Sequence, residues 1–170
     1  MFRKFLKKSY RIEFSVDGKP PKKSTVSLWS ENSNQTELVV NLRQKAFEAS
    51  QKVGLNDHFH GSVKLALTVY APNILERKDR HDYLGDLDAL VGGVFESLQP
   101  APKNNPELKV DPALKNTKDI GSDVPLIVAD DAQITTTIAQ KRKNERIFYT
   151  VLIEADNSIK NTLSNIIIKN

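Results

Sequence analysis

Two stretches decide how this chain of 170 residues is read: DLDALVGGVFESL, residues 86–98, and VPLIVADDAQITTTIAQK, residues 124–141. In the first, Leu87, Leu90, Val91, Val94, Phe95 and Leu98 recur at helical spacing, which predicts an amphipathic helix with Asp86 and Asp88 at its start. Gly92-Gly93 is the weak point of that helix, since each glycine costs about 1 kcal/mol against alanine in a helix interior. In the second, a short apolar segment, 124–128, ends at Asp130-Asp131, and Ile134 to Ala139 then reads as a strand. Ile147 to Ile153 reads as another, the two forming a hairpin that turns at Lys143-Asn144.

Working outward, Tyr10, Ile12, Phe14 and Val16 alternate with polar neighbours, the period of a half-buried strand, and Asp17-Gly18 ends it. Val39, Leu42, Ala46, Ala49 and Val53 predict a helix over 36–53, with Thr36 as its cap and Gly54 just past its end. Val63, Leu65, Leu67 and Val69 alternate along a second strand, 62–70, which Pro72 closes. Residues 73–85 are a charged loop, and 99–121 read as a long loop insertion. The order strand, helix, strand, helix, strand, strand predicts an α/β (α+β) domain: a mixed sheet covered by two main helices, over residues 1–156. Residues 157–170 carry Ile159, Leu163, Ile166 and Ile167 at helical spacing and are expected to form a C-terminal helical tail.

The chain holds no cysteine, which excludes disulfides, thiolate chemistry and sulfur-ligated zinc. No apolar run approaches the roughly 20 residues of a membrane span, and the basic N-terminus lacks the apolar core of a secretory signal. A soluble, cytoplasmic protein with no membrane partner is expected. No phosphate-loop motif is present, so no nucleotide cofactor is expected. The net charge of +4 is unevenly placed: residues 1–24 hold eight basic side chains against two acidic ones. Further basic knots are Arg77, Lys78 and Arg80, and Lys141, Arg142, Lys143 and Arg146. Such clusters suit a polyanion, because neutralised phosphates release condensed counterions, although they also serve as solubilising surface.

Magnesium and similar hard cations take carboxylate oxygens and keep several waters. Asp86, Asp88 and Asp131, with Asp130 as companion, could converge from a helix start and a strand end to hold one or two such ions. Each part also has an ordinary reading. An aspartate at a helix start commonly caps it, and an Asp-Asp pair after an apolar run commonly makes a turn. His58-Phe59-His60 offers two imidazoles but too few partners for a metal, and reads as surface or partly packed. Trp29 and Tyr10 read as packing residues rather than base-stacking ones.

Taken together, ERKDRHDYLGDLDALVGGVFESL (76–98) and VADDAQITTTIAQK (128–141) resemble the RusA family of Holliday-junction resolvases. The shared pattern is an Arg-rich loop, D-L-D at a helix start, then D-D-A-Q before a strand with a terminal lysine. The resemblance implies a homodimer that binds a four-way DNA junction and nicks two strands symmetrically with Mg2+ or Mn2+. Asp86, Asp88 and Asp131 match its catalytic acids and Lys141 its strand lysine. Lys22, Lys23, Arg77, Lys78, Arg80 and Lys141 are the expected DNA contacts. Two positions depart from the pattern: Ala89 stands where the family has asparagine, and Gly92 where it has a lysine on the metal-facing side of the helix. The alternative is therefore a junction-binding protein with weak or no catalysis.

Overall fold

The computed structural model describes residues 10–74, 84–115 and 117–156. Four strands form one mixed sheet: β1 (Arg11–Asp17), β2 (Val63–Ala71), β3 (Ile134–Lys143) and β4 (Phe148–Ala155), in the order β1-β4-β2-β3. β4 runs antiparallel to both β1 and β2, and β3 runs parallel to β2. β3 and β4 are therefore not a hairpin, contrary to the sequence expectation. The reason lies in their side chains. Tyr149, Val151 and Ile153 of β4 are fully buried, which suits a central strand, whereas Thr135, Thr136, Thr137 and Ile138 of β3 are exposed, which suits an edge.

Two helices, α1 (Thr36–Val53) and α2 (Leu87–Leu98), cover one face of this sheet, so the fold is α+β as expected. The paired registers place Ile12, Phe14 and Val16 beside Ile153, Val151 and Tyr149, and those beside Leu65, Leu67 and Val69. Leu42, Ala46 and Ala49 of α1 and Leu90, Val94 and Leu98 of α2 close the same core. Each fully buried large side chain of this kind contributes about 1.5–3 kcal/mol. Gly54, at φ 70°, ends α1 as its position predicts. Thr36 is not the cap: Gln35 occupies that position, and the Thr36 hydroxyl instead donates to Asp111 at 3.0 Å.

Residues 99–121 are more than a loop. They carry a short helix, α3 (Pro112–Lys115), and an isolated bridge from Val110 to Ser30. Leu114 packs with Leu28, Trp29 and Val39 in a second small core. Residues 124–128 do not form a strand; Leu126, Ile127 and Val128 are buried, and Val128 bridges to Phe59. The tail 157–170 lies outside the described residues.

Gly92-Gly93 owes its place in α2 to a close backbone approach. A Cβ at position 93 would lie 2.2 Å from the carbonyl oxygen of Pro21. Alanine there would gain about 1 kcal/mol of helix propensity, but two backbones cannot yield by the distance required. Gly93→Ala should therefore destabilise by about 1–3 kcal/mol, measured by denaturant unfolding, and a more stable variant would contradict this packing.

Candidate functional site at the start of the second helix

Gly85, at φ 112°, makes the turn into α2 in a conformation that favours glycine. Asp86 follows as the N-cap residue, half-buried and in extended conformation, but its side chain makes no capping hydrogen bond. Asp88 is exposed in the first helical turn. Lys141, two residues before the end of β3, donates from Nζ to the Gly85 carbonyl at 2.7 Å. That bond ties the edge strand to the residue before Asp86, so Lys141 positions the start of the helix.

The D-D-A-Q stretch forms a 3-10 turn, Asp131–Gln133, leading into β3. Its four residues divide the work. Asp130 caps the turn, accepting from Ala132 N at 2.8 Å. Gln133 closes the capping box by accepting from Asp130 N at 3.3 Å and also accepts from Ala129 N at 2.7 Å, while its amide donates to the carbonyls of Phe59 and Gly61. Asp131 has its backbone N–H bonded to Gln99 Oε1 at 3.0 Å. The ordinary turn reading therefore holds for the pair: Asp130 caps the turn through its side chain, and Asp131 is its first residue. Neither Asp88 nor Asp131 uses its carboxylate in a hydrogen bond or ion pair with the described residues.

A cleft of about 470 Å³ opens beside Asp131, walled by Lys23, Gly92, Phe95, Glu96 and Gln99. Lys23 reaches it because the loop after β1 is pinned to α2. Gln35 accepts from Lys22 N at 2.8 Å and donates to Lys22 O at 3.0 Å, and Lys23 N donates to Ala89 O at 2.8 Å. The Lys23 stem crosses Gly92, where an added Cβ would meet Lys23 Cβ at 3.3 Å and Cδ at 3.2 Å. The space a side chain at 92 would take is thus filled by Lys23. Sequence reasoning grouped Lys23 with the general DNA contacts and could not see this, because the approach is made across 69 residues of chain. A larger cleft of about 630 Å³ between β1 and α1 holds none of the expected site residues.

The expected residues are brought together only in part. Asp86 and Asp88 share the start of α2, whereas Asp131 is bonded through its N–H to Gln99, just past the other end of that helix, which is about 18 Å long. Their oxygens are not gathered into a cage. Among the described residues, only Asp57, His58 and His60 bring three potential ligand atoms within 4.8 Å of one another. Hydrogen bonds from the backbone and ring of His58 hold the Asp57 carboxyl below the usual carboxylate range. Arg77, Lys78 and Arg80 lie outside the described residues.

Arg43 is the residue that sequence reasoning missed entirely. It is fully buried on α1, and its guanidinium donates to the carbonyls of Ser97, Gln99, Ile120, Gly121 and Val124 at 2.6–3.1 Å. It also lies 4.9 Å from the centroid of the Trp29 ring. Burial pushes it down to about 10, with Asp123 opposing, so it stays charged at neutral pH. It holds the end of α2, and with it Gln99, the partner of Asp131. No described helix is long and apolar enough to cross a membrane. No protein-family model matches the chain, and no curated protein matches it.

Proposed function

We propose that this chain is a cytoplasmic, magnesium- or manganese-dependent endonuclease that cleaves four-way DNA junctions as a homodimer, as its resemblance to the RusA family implies. The observation that carries this reading is the pair of uncommitted carboxylates. The carboxylates of Asp88 and Asp131 are exposed and have no partner among the described residues; Asp131 lines the cleft beside α2, and Asp88 lies at the start of that helix, outside the cleft lining. Carboxylates kept for caps or ion pairs would be engaged, as those of Asp130 and Asp17 are.

Asp86 and Asp88 offer oxygen donors that would suit a hard cation, which would supply Lewis-acid stabilisation of a cleaved phosphodiester and an activated water; Asp131, beside Gln99 at the other end of α2, stands too far away to share that ion as placed. The chain's own residues do the rest. Lys141 fixes the helix start that carries Asp86 and Asp88. Gln133 and Asp130 fix the turn that carries Asp131. Lys23 brings a cation along the helix face beside Asp131, the role that a lysine at position 92 would otherwise fill. Lys22 and Lys23, with Arg77, Lys78 and Arg80, would contact phosphates, which position a duplex without reading its sequence. A second copy would match the near two-fold symmetry of a junction. Ile138, 62% exposed on the helix-free face of β3, offers apolar surface for it.

One observation favours the alternative, a junction-binding protein without cleavage: the aspartates do not bring three ligand atoms within 4.8 Å. A labelled four-way junction and a matched linear duplex, each with Mg2+, Mn2+ or chelator, separate the two. Paired metal-dependent nicks confined to the junction are expected; tight junction binding without cleavage would establish the alternative. Lys23→Ala is expected to lower cleavage by about 10²-fold, the scale of losing one charge-stabilising donor, with a smaller loss in junction affinity. Unchanged cleavage would remove Lys23 from the site.

A further inference from the structure

We propose that the loop Asp57–His60 is a second metal site, distinct from the acidic one and suited to a borderline ion such as Zn2+. Asp57 spans the two imidazoles: its Oδ1 lies 2.7 Å from His58 Nδ1 and its Oδ2 lies 3.1 Å from His60 Nε2. The two rings stand 4.6 Å apart, tilted by 54°. These residues offer two ring nitrogens and a carboxylate oxygen, and the three ligand atoms lie within 4.8 Å of one another. Imidazole N–H protons occupy the space between these atoms by bonding to the carboxylate. A divalent ion would displace those protons and take the same three atoms as ligands.

The loop is held from outside, which separates it from a chance meeting of surface side chains. Phe59, between the two histidines, is buried; its N–H donates to Ile127 O at 2.8 Å and its carbonyl accepts from Gln133. Gln133 also donates to Gly61 O at 3.1 Å. With the backbone fixed on both sides, His58 is largely enclosed, its side chain 18% exposed, while Asp57 and His60 are open and can close on an ion. Zinc bonds of about 2.0–2.2 Å need ligand atoms closer together than they stand, a change that rotation of the two exposed side chains supplies. Imidazole nitrogen selects zinc, copper or nickel over magnesium, and three protein ligands leave a fourth position to water. The site does not depend on the nuclease reading.

The test is zinc titration by calorimetry of the full, untagged chain in excess Mg2+, which occupies oxygen-only sites. One zinc per chain is expected. His60→Ala and His58→Ala should each weaken it by at least 10–100-fold, on the order of the loss from removing even an outer partner of a metal ligand. His60 is exposed, so its variant should keep the far-UV circular dichroism of the parent. Cobalt in place of zinc should give visible absorption that His60→Ala abolishes, and Asp88→Asn should retain zinc binding. No zinc binding by the parent chain, or binding as tight as the parent's in both histidine variants, would overturn the site. So would binding lost in Asp88→Asn but kept in His60→Ala, which would move the ion to the acidic site.

Discussion

Asp88→Asn is expected to abolish metal-dependent nicking of a four-way junction, by at least about 10²–10³-fold, while the protein still binds the junction. The substitution keeps the shape of the side chain and removes the charge that a hard cation needs. Its structural cost is small because Asp88 is exposed and its carboxylate is bonded to none of the described residues. The loss is limited to its favourable place in the first turn of α2, worth about 0.3–1 kcal/mol. Junction affinity should hold or rise slightly, since a negative charge facing phosphates has gone. Gel-shift and cleavage assays on one preparation separate the two effects. Cleavage at the parental rate would end the acidic-site reading. Loss of binding together with a lowered melting temperature would show that Asp88 serves the fold.

The largest effect on stability should come from Arg43→Met. Methionine fills much of the same volume, yet it leaves the carbonyls of Ser97, Gln99, Ile120, Gly121 and Val124 without the donor they share. Each buried acceptor left unpaired costs about 1–3 kcal/mol, offset in part because a buried guanidinium is itself expensive to desolvate. A net loss on the order of 4 kcal/mol is expected from chemical denaturation, with Tm lower by roughly 10 °C. Arg43→Lys should recover little, because one ammonium cannot reach five carbonyls arranged for a fork. The Met variant should also lose the ordered end of α2, and cleavage, if present, should fall with it. A change below about 1 kcal/mol would mean that water satisfies these carbonyls and that Arg43 is not the tie.

Local pattern was enough for much of this molecule. The apolar spacing of Val39, Leu42, Ala46 and Ala49 set α1 within its observed bounds, and Gly54 closed it. Alternation in Val63–Val69 marked β2, and Asp86 and Asp88 were placed at a helix start because the stripe beginning at Leu87 required one. These signals are periodic and short-range, so the chain carries them without reference to its neighbours.

What only the tertiary structure decided depended on contacts between distant segments. β3 and β4 are adjacent in sequence and were read as a hairpin, but β4 lies between β1 and β2 because its alternate face is wholly buried. Gly92-Gly93 is a weak point of the helix by propensity alone, and its reason is the approach of Pro21 and Lys23 from a distant segment. Nothing in the local pattern marks Arg43, because its five carbonyl partners come from residues 54 to 81 positions away. Of the four aspartates, the sequence could name the set. Which ones are spent on turns and which remain uncommitted was settled by hydrogen bonds that form only after the sheet and helices have packed.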